Sequence, residues 1–156
     1  MTTRVKKIVA SFVAVMFSLS LAACSSDTAT ESKTFVMGNE FVQIEMTLEA
    51  KEDKVQTITQ HSTIDTAKVT DTAMLDTVRE QVEITKEKMS DITGAEYKFT
   101  EKDGIMTEDM VLPVHTKELL DQITEKELLP VTGENVEFLS LEQSVKSLTA
   151  QGWVEK

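Results

Sequence analysis

The sequence predicts an α+β domain: an antiparallel sheet of about five strands, laid out as a three-strand meander, a long helix and a hairpin, with short C-terminal helices. Three stretches carry that expectation. From Val42 to Ala50 the apolar residues Val42, Ile44, Met46, Leu48 and Ala50 alternate with polar ones, the period-two signature of a strand with one face on a core. Leu75, Val78, Val82, Thr85, Met89 and Ile92, with Met74, fall at helical spacing within a stripe about 100° wide. Ala95, Tyr97 and Phe99 then alternate with Glu96, Lys98 and Thr100 ahead of Asp103-Gly104, a dipeptide suited to a tight hairpin turn. Strands and helices that cluster along the chain, rather than alternating strictly, give a sheet with helices gathered on it.

In chain order the first feature is a leader. Arg4, Lys6 and Lys7 form a basic start, and Ile8 to Ala23 follow as sixteen uncharged, mostly apolar residues. This is the layout of a secretory signal, and it falls short of the about 20 apolar residues of a spanning helix. At its end Leu21-Ala22-Ala23-Cys24 resembles the lipobox of bacterial lipoprotein precursors: an aliphatic residue, two small residues and a cysteine. The resemblance implies that Leu21, Ala22 and Ala23 are read by the signal peptidase and that the Cys24 thiol takes a diacylglyceryl group. Cleavage before Cys24 then makes it the mature N-terminus. A thiolate is the nucleophile such a thioether needs. Two acyl chains anchor stably where one binds only marginally, at about 0.8 kcal/mol per buried CH₂. Cys24 is the only cysteine, so an exported protein has no internal disulfide for it to join. The alternative is a plain secretory signal with an incidental cysteine.

On this reading residues 1–23 are a signal peptide, 24–33 are the lipidated cysteine and a polar tether, and 34–156 are one domain. The tether, Ser25 to Lys33, offers almost nothing to bury. Phe35-Val36-Met37 then leads to Gly38-Asn39, read as a two-residue hairpin turn, and to the alternating Val42–Ala50 strand. Lys51 to Lys54 turn the chain into a Thr- and Ile-rich third strand, Val55 to Thr66. Asp71 is placed to cap the long helix and Gly94 to stop it. After the Asp103-Gly104 turn, Met106, Met110, Leu112 and Val114 share one face of the returning strand. Thr116 caps a short helix through Leu119, Leu120 and Ile123, and the stretch from Leu128 to Leu139 has no clear period. Ser140, with Gln143 in the capping-box position, opens a last helix that buries Leu141, Val145 and Leu148. Gly152 ends it and Trp153 folds back on the core.

Met46-Thr47, Asp53-Lys54-Val55, Gly94-Ala95-Glu96, Glu108-Asp109-Met110-Val111-Leu112 and Gly152-Trp153-Val154-Glu155-Lys156 together resemble the YehR-like bacterial lipoproteins. That family is of unknown function. The resemblance implies an α+β domain behind a lipobox and supplies no site residue. Glu52 stands where the resemblance leads one to expect Gly.

Composition narrows the functions. The 156 residues are 40% hydrophobic, 28% charged and 5% aromatic, which fits one domain whose core leans on Val, Ile, Leu and Met. The net charge is −11. Without Arg4, Lys6 and Lys7 the mature chain has 13 basic against 27 acidic residues, or −14. Such a surface repels nucleic acid and anionic lipid headgroups. The acids are scattered rather than blocked, as on a solvated surface.

His61 and His115 lack a second ligand at metal-binding spacing, and both are expected at the surface. No nucleophile elbow, phosphate loop or cofactor fingerprint occurs. Glu108-Asp109 is a pair of neighbouring carboxylates, but adjacent strand residues point to opposite faces and do not share a proton; both are expected to be solvated. No catalytic, cofactor-binding or metal-binding residue emerges. The expected function is a non-catalytic module, lipid-anchored through Cys24 on the extracytoplasmic face of the cell membrane, with a protein, peptide or small molecule as partner. The alternative is an envelope enzyme of hydrolase type with no linear motif.

Overall fold

A computed structural model of the chain describes residues 17–18, 30–129, 131–132 and 136–156. The expected meander is present as β1 (Thr30–Gly38), β2 (Val42–Lys51) and β3 (Lys54–Asp65). The long helix α1 (Thr72–Ser90) follows, then the hairpin β4 (Glu96–Lys102) and β5 (Ile105–Pro113). The C-terminal part contains α2 (Lys117–Glu125), α3 (Leu141–Ala150) and a short strand β6 (Val154–Glu155). One sheet joins the six strands in the order β4-β5-β3-β2-β1-β6, and every pairing is antiparallel. A separate two-residue parallel pairing links Phe17–Ser18 to Val131–Thr132.

The sheet thus has six strands rather than about five. The added one, β6, lays Val154 against Val36 and Glu155 against Phe35. Two residues are too few to show a period, so only the tertiary pairing defines this strand. The polar segment expected as tether through Lys33 is also shorter, because Thr30 to Lys33 already pair with Lys51 to Leu48. Backbone hydrogen bonds to β2 hold these side chains in a strand without any of them needing an apolar partner. The Gly38-Asn39 turn differs too. Gly38 pairs with Gln43, and the connection is closed by Asn39, whose Oδ1 accepts from the N–H groups of Phe41 and Val42, both at 2.9 Å. Gly38 is needed for close approach, since a Cβ there would lie 2.3 Å from the Val42 carbonyl oxygen.

The helix ends follow the sequence closely. The Asp71 carboxylate accepts from Ala73 N–H, Thr116 Oγ1 from Leu119 N–H and Ser140 Oγ from Gln143 N–H, each satisfying a donor that the first helical turn leaves free. Gly94, at φ +81°, turns the chain beyond α1. Met74, Leu75, Val78, Val82, Thr85 and Met89 form the buried stripe of α1. Leu75, Val78, Val82 and Met89 of that stripe pack with Phe35, Ile44, Met46, Leu48, Ile58, Ile64, Met106 and Leu112 from the sheet into one core, which α2 and α3 close through Leu120, Ile123, Leu141 and Leu148. Trp153 is 3% exposed and seals the end of α3. Full burial of such side chains stabilises by about 1.5–3 kcal/mol each.

Candidate functional site

The alternation of β5 puts Met106, Met110 and Leu112 on the core side, and the same period carries Glu108 inward with them. Glu108 is 2% exposed. Its direct cross-strand partners are Ser62 on β3 and Phe99 on β4. Ser62 and Gln60 point the same way and are buried, with Gln60 Nε2 donating to Ser62 Oγ at 3.1 Å. From the edge strand β4, Tyr97 reaches diagonally across and its hydroxyl donates to Glu108 Oε1 at 2.6 Å. Two buried oxygens have no hydrogen-bond partner among the described residues: Glu108 Oε2 and, on the sheet-facing stripe of α1, Thr85 Oγ1.

This polar cluster corrects the expectation for Glu108. The pair Glu108-Asp109 does split across the two faces of the strand, but only Asp109 is on the solvent side. Burial pushes the Glu108 carboxyl up to about 7, against a lowering by the Tyr97 hydrogen bond and a further rise from the Asp109 charge. The shift from 4.5 corresponds to about 3 kcal/mol of preference for the neutral acid. Burial also pushes the Tyr97 hydroxyl up, and the negative charges of Glu108 and Glu83 add to it. The signal was present in the sequence. Position 108 lies in register with Met106, Met110, Leu112 and Val114, and a carboxylate in an otherwise apolar series is a core position with an unusual occupant.

A carboxyl titrating near neutrality is a general acid or base in kind, yet such a group must lie within hydrogen-bond reach of its substrate. Glu108 is closed in between Tyr97, Ser62 and Phe99, so its geometry suits proton uptake by the fold and not proton transfer to a bound molecule. On the opposite face His61 Nδ1 lies 2.6 Å from Asp109 Oδ1, each side chain about half exposed. His115 is exposed at the end of β5, so both histidines are at the surface as expected. Among the described residues no three His, Cys, Asp or Glu side chains are grouped to hold a metal ion. Leu21, Ala22, Ala23 and Cys24 lie outside the described residues.

A family model described as a protein of unknown function, DUF1307, matches residues 31–154, from the first strand to the last. The chain belongs to the DUF1307 family. Two solved structures are similar to this DUF1307 chain. The NMR structure of the Escherichia coli YehR protein is 19% identical with a TM-score of 0.55, covering 83% of this chain and 93% of that one. The NMR structure of a protein from Streptococcus pneumoniae TIGR4 is 13% identical with a TM-score of 0.50, covering 88% and 92%. At these identities the likeness is one of fold, and at that level it agrees with the YehR-like resemblance of the sequence. No functionally curated protein matches the DUF1307 chain.

Proposed function

We propose that this chain is the precursor of a lipid-anchored, extracytoplasmic protein whose domain acts as a non-catalytic binding or accessory module at the cell envelope. The observation that carries the reading is Leu21-Ala22-Ala23-Cys24, set at the end of a basic and then apolar leader and holding the only cysteine. The position of the first strand supports it. Five residues separate Cys24 from Thr30, where β1 begins. Six residue steps span at most about 20 Å, so the anchor would hold the sheet close to the bilayer surface. Among the described residues no helix is long and apolar enough to cross a membrane. The acidity of the mature chain, −14, argues against nucleic acid as a partner and leaves a protein, peptide or small molecule. The enclosure of Glu108 favours the module over a hydrolase-type enzyme.

Mass spectrometry of the mature N-terminus tests the anchor. The expected product begins at Cys24 and carries a diacylglyceryl mass, and Cys24→Ala is expected to leave the membrane fraction while keeping its fold. A chain that begins elsewhere, or a wild-type protein that washes from membranes as freely as Cys24→Ala, would overturn the reading.

A further inference from the structure

We propose that Glu108 and Tyr97 form a proton-operated latch on the edge strand β4, held shut while the carboxyl is neutral and opening more often when it ionises. Of the three strands at this end of the sheet, β4 is the least supported. It pairs with β5 alone, whereas β5 and β3 each have neighbours on both sides. Beyond that pairing, Tyr97 and Phe99 pack against the core, and α1 lies on β4 and adds an exposed ion pair between Arg79 and Glu101 at 2.8 Å. The Tyr97–Glu108 bond is thus a side-chain tie from the edge strand into the core.

Among the described residues, the charges that act on Glu108 and Tyr97 are all negative. Ser62 and Gln60 on β3 are uncharged and bonded to each other. On α1, Thr85 is uncharged and Glu83 adds negative charge at Tyr97. On β5 itself the acting charge is that of Asp109, and Phe99 opposite on β4 is apolar. An ionised Glu108 therefore has one donor, Tyr97, and no counter-charge. A buried charge without a partner is relieved by reaching water. The shortest structural change that admits water is displacement of β4, which costs one ladder of backbone bonds instead of two.

The direction follows from linkage. A carboxyl held above its ordinary value by the fold contributes stability that is fully present below about 4.5 and lost as the pH rises to about 7. If the domain is held outside the membrane, as the lipid-anchor reading has it, the latch would respond to external pH. The latch itself does not depend on that reading.

The test is amide hydrogen exchange followed by NMR on the full chain in detergent between pH 5 and 8, corrected for the intrinsic pH dependence of exchange. Protection of the β4 amides is expected to fall by up to about tenfold per pH unit between pH 5 and 7 and to level off above, with β2 and β3 amides better protected throughout. Glu108→Gln, which keeps an acceptor for Tyr97 and cannot ionise, is expected to flatten the β4 profile. A uniform loss across the sheet, or a Glu108→Gln profile that follows the wild type, overturns the latch. Should Glu108→Gln fail to fold, the carboxyl ¹³C shift of Glu108 in the wild type decides: a midpoint well above the ordinary carboxylate range supports the latch, and an ordinary midpoint overturns it.

Discussion

Tyr97 supplies the single hydrogen bond that the Glu108 carboxyl accepts among the described residues, so replacing it by Phe separates two contributions that are otherwise joined. While Glu108 is neutral, the bond is one between uncharged groups, and its loss is expected to cost about 1 kcal/mol. Once Glu108 is ionised, the same hydroxyl is the only donor to a buried anion, and its loss is expected to cost about 2–3 kcal/mol. Tyr97→Phe should therefore be more damaging at pH 8 than at pH 5, measured by urea unfolding at both. The Tyr97 bond also holds the Glu108 carboxyl down against its burial, so the variant is expected to titrate higher than the wild type. Equal cost at the two pH values would show that Glu108 does not change charge in between. The oxygens of Glu108 and Thr85 left without partners are the kind of local inconsistency that sequence patterning marks and does not explain.

Among the elements, the turn between β2 and β3 is where local preference and tertiary need conflict. Glu52 and Asp53 sit at φ +52° and +61°, the left-handed region that a two-residue hairpin turn demands and that Asn-Gly fills most easily. Asp53 is kept there by a second task. Its Oδ2 accepts from Ser140 Oγ at 2.7 Å, its Oδ1 from Glu142 N–H at 2.9 Å, and its carbonyl from Leu141 N–H at 2.8 Å. The turn thereby caps α3 from 87 residues away and fixes the C-terminal helix to the sheet. Asp53→Ala is expected to lose about 1–2 kcal/mol and to raise amide exchange in the first turn of α3. Glu52 is exposed and has no such task, so Glu52→Gly is expected to stabilise by about 0.5–1 kcal/mol through relief of its backbone conformation. A neutral or destabilising Glu52→Gly in thermal unfolding would contradict that account. The same contrast explains what was legible. Caps at Asp71, Thr116 and Ser140 act within four residues, and the stripes of β2 and α1 repeat often enough to be read. The edge strand β6, the β1 extension through Thr30 and the Asp53 clamp are set by partners far along the chain, and nothing local announces them. Glu108 lies between these cases. Its face was readable from Met106, Met110 and Leu112, but the Tyr97 donor that makes its burial tolerable comes from a different strand.

For the whole molecule, these groups combine into a stability window. On the acid side, Lys68 beside Asp65, Lys126 beside Asp91 and Arg79 beside Glu101 hold those three carboxyls below their ordinary values. Depressed carboxylates contribute stability that is present above their unfolded values and lost as the pH falls through the folded ones. Glu101 and Asp91 are exposed and Asp65 is only partly buried, so each contribution is small and weakened by salt. On the other side, Glu108 removes stability as the pH rises from about 4.5 to about 7. The midpoint of thermal unfolding is expected to be highest near pH 5, below neutrality, and to decline in both directions. Repulsion within a chain of 27 acidic residues would also favour mildly acidic pH, but it acts through solvent. Raising the ionic strength to about 1 M shortens the screening length to about 3 Å and should remove most of that repulsion and much of the acid-side ion pairing. It should leave the decline between pH 5 and 7, because the Glu108 penalty is desolvation. Thermal unfolding at low and high salt therefore separates the two causes. A decline that disappears in high salt would assign it to surface charge, whereas one that persists and is absent in Glu108→Gln assigns it to the buried carboxyl of Glu108, between β3 and β4.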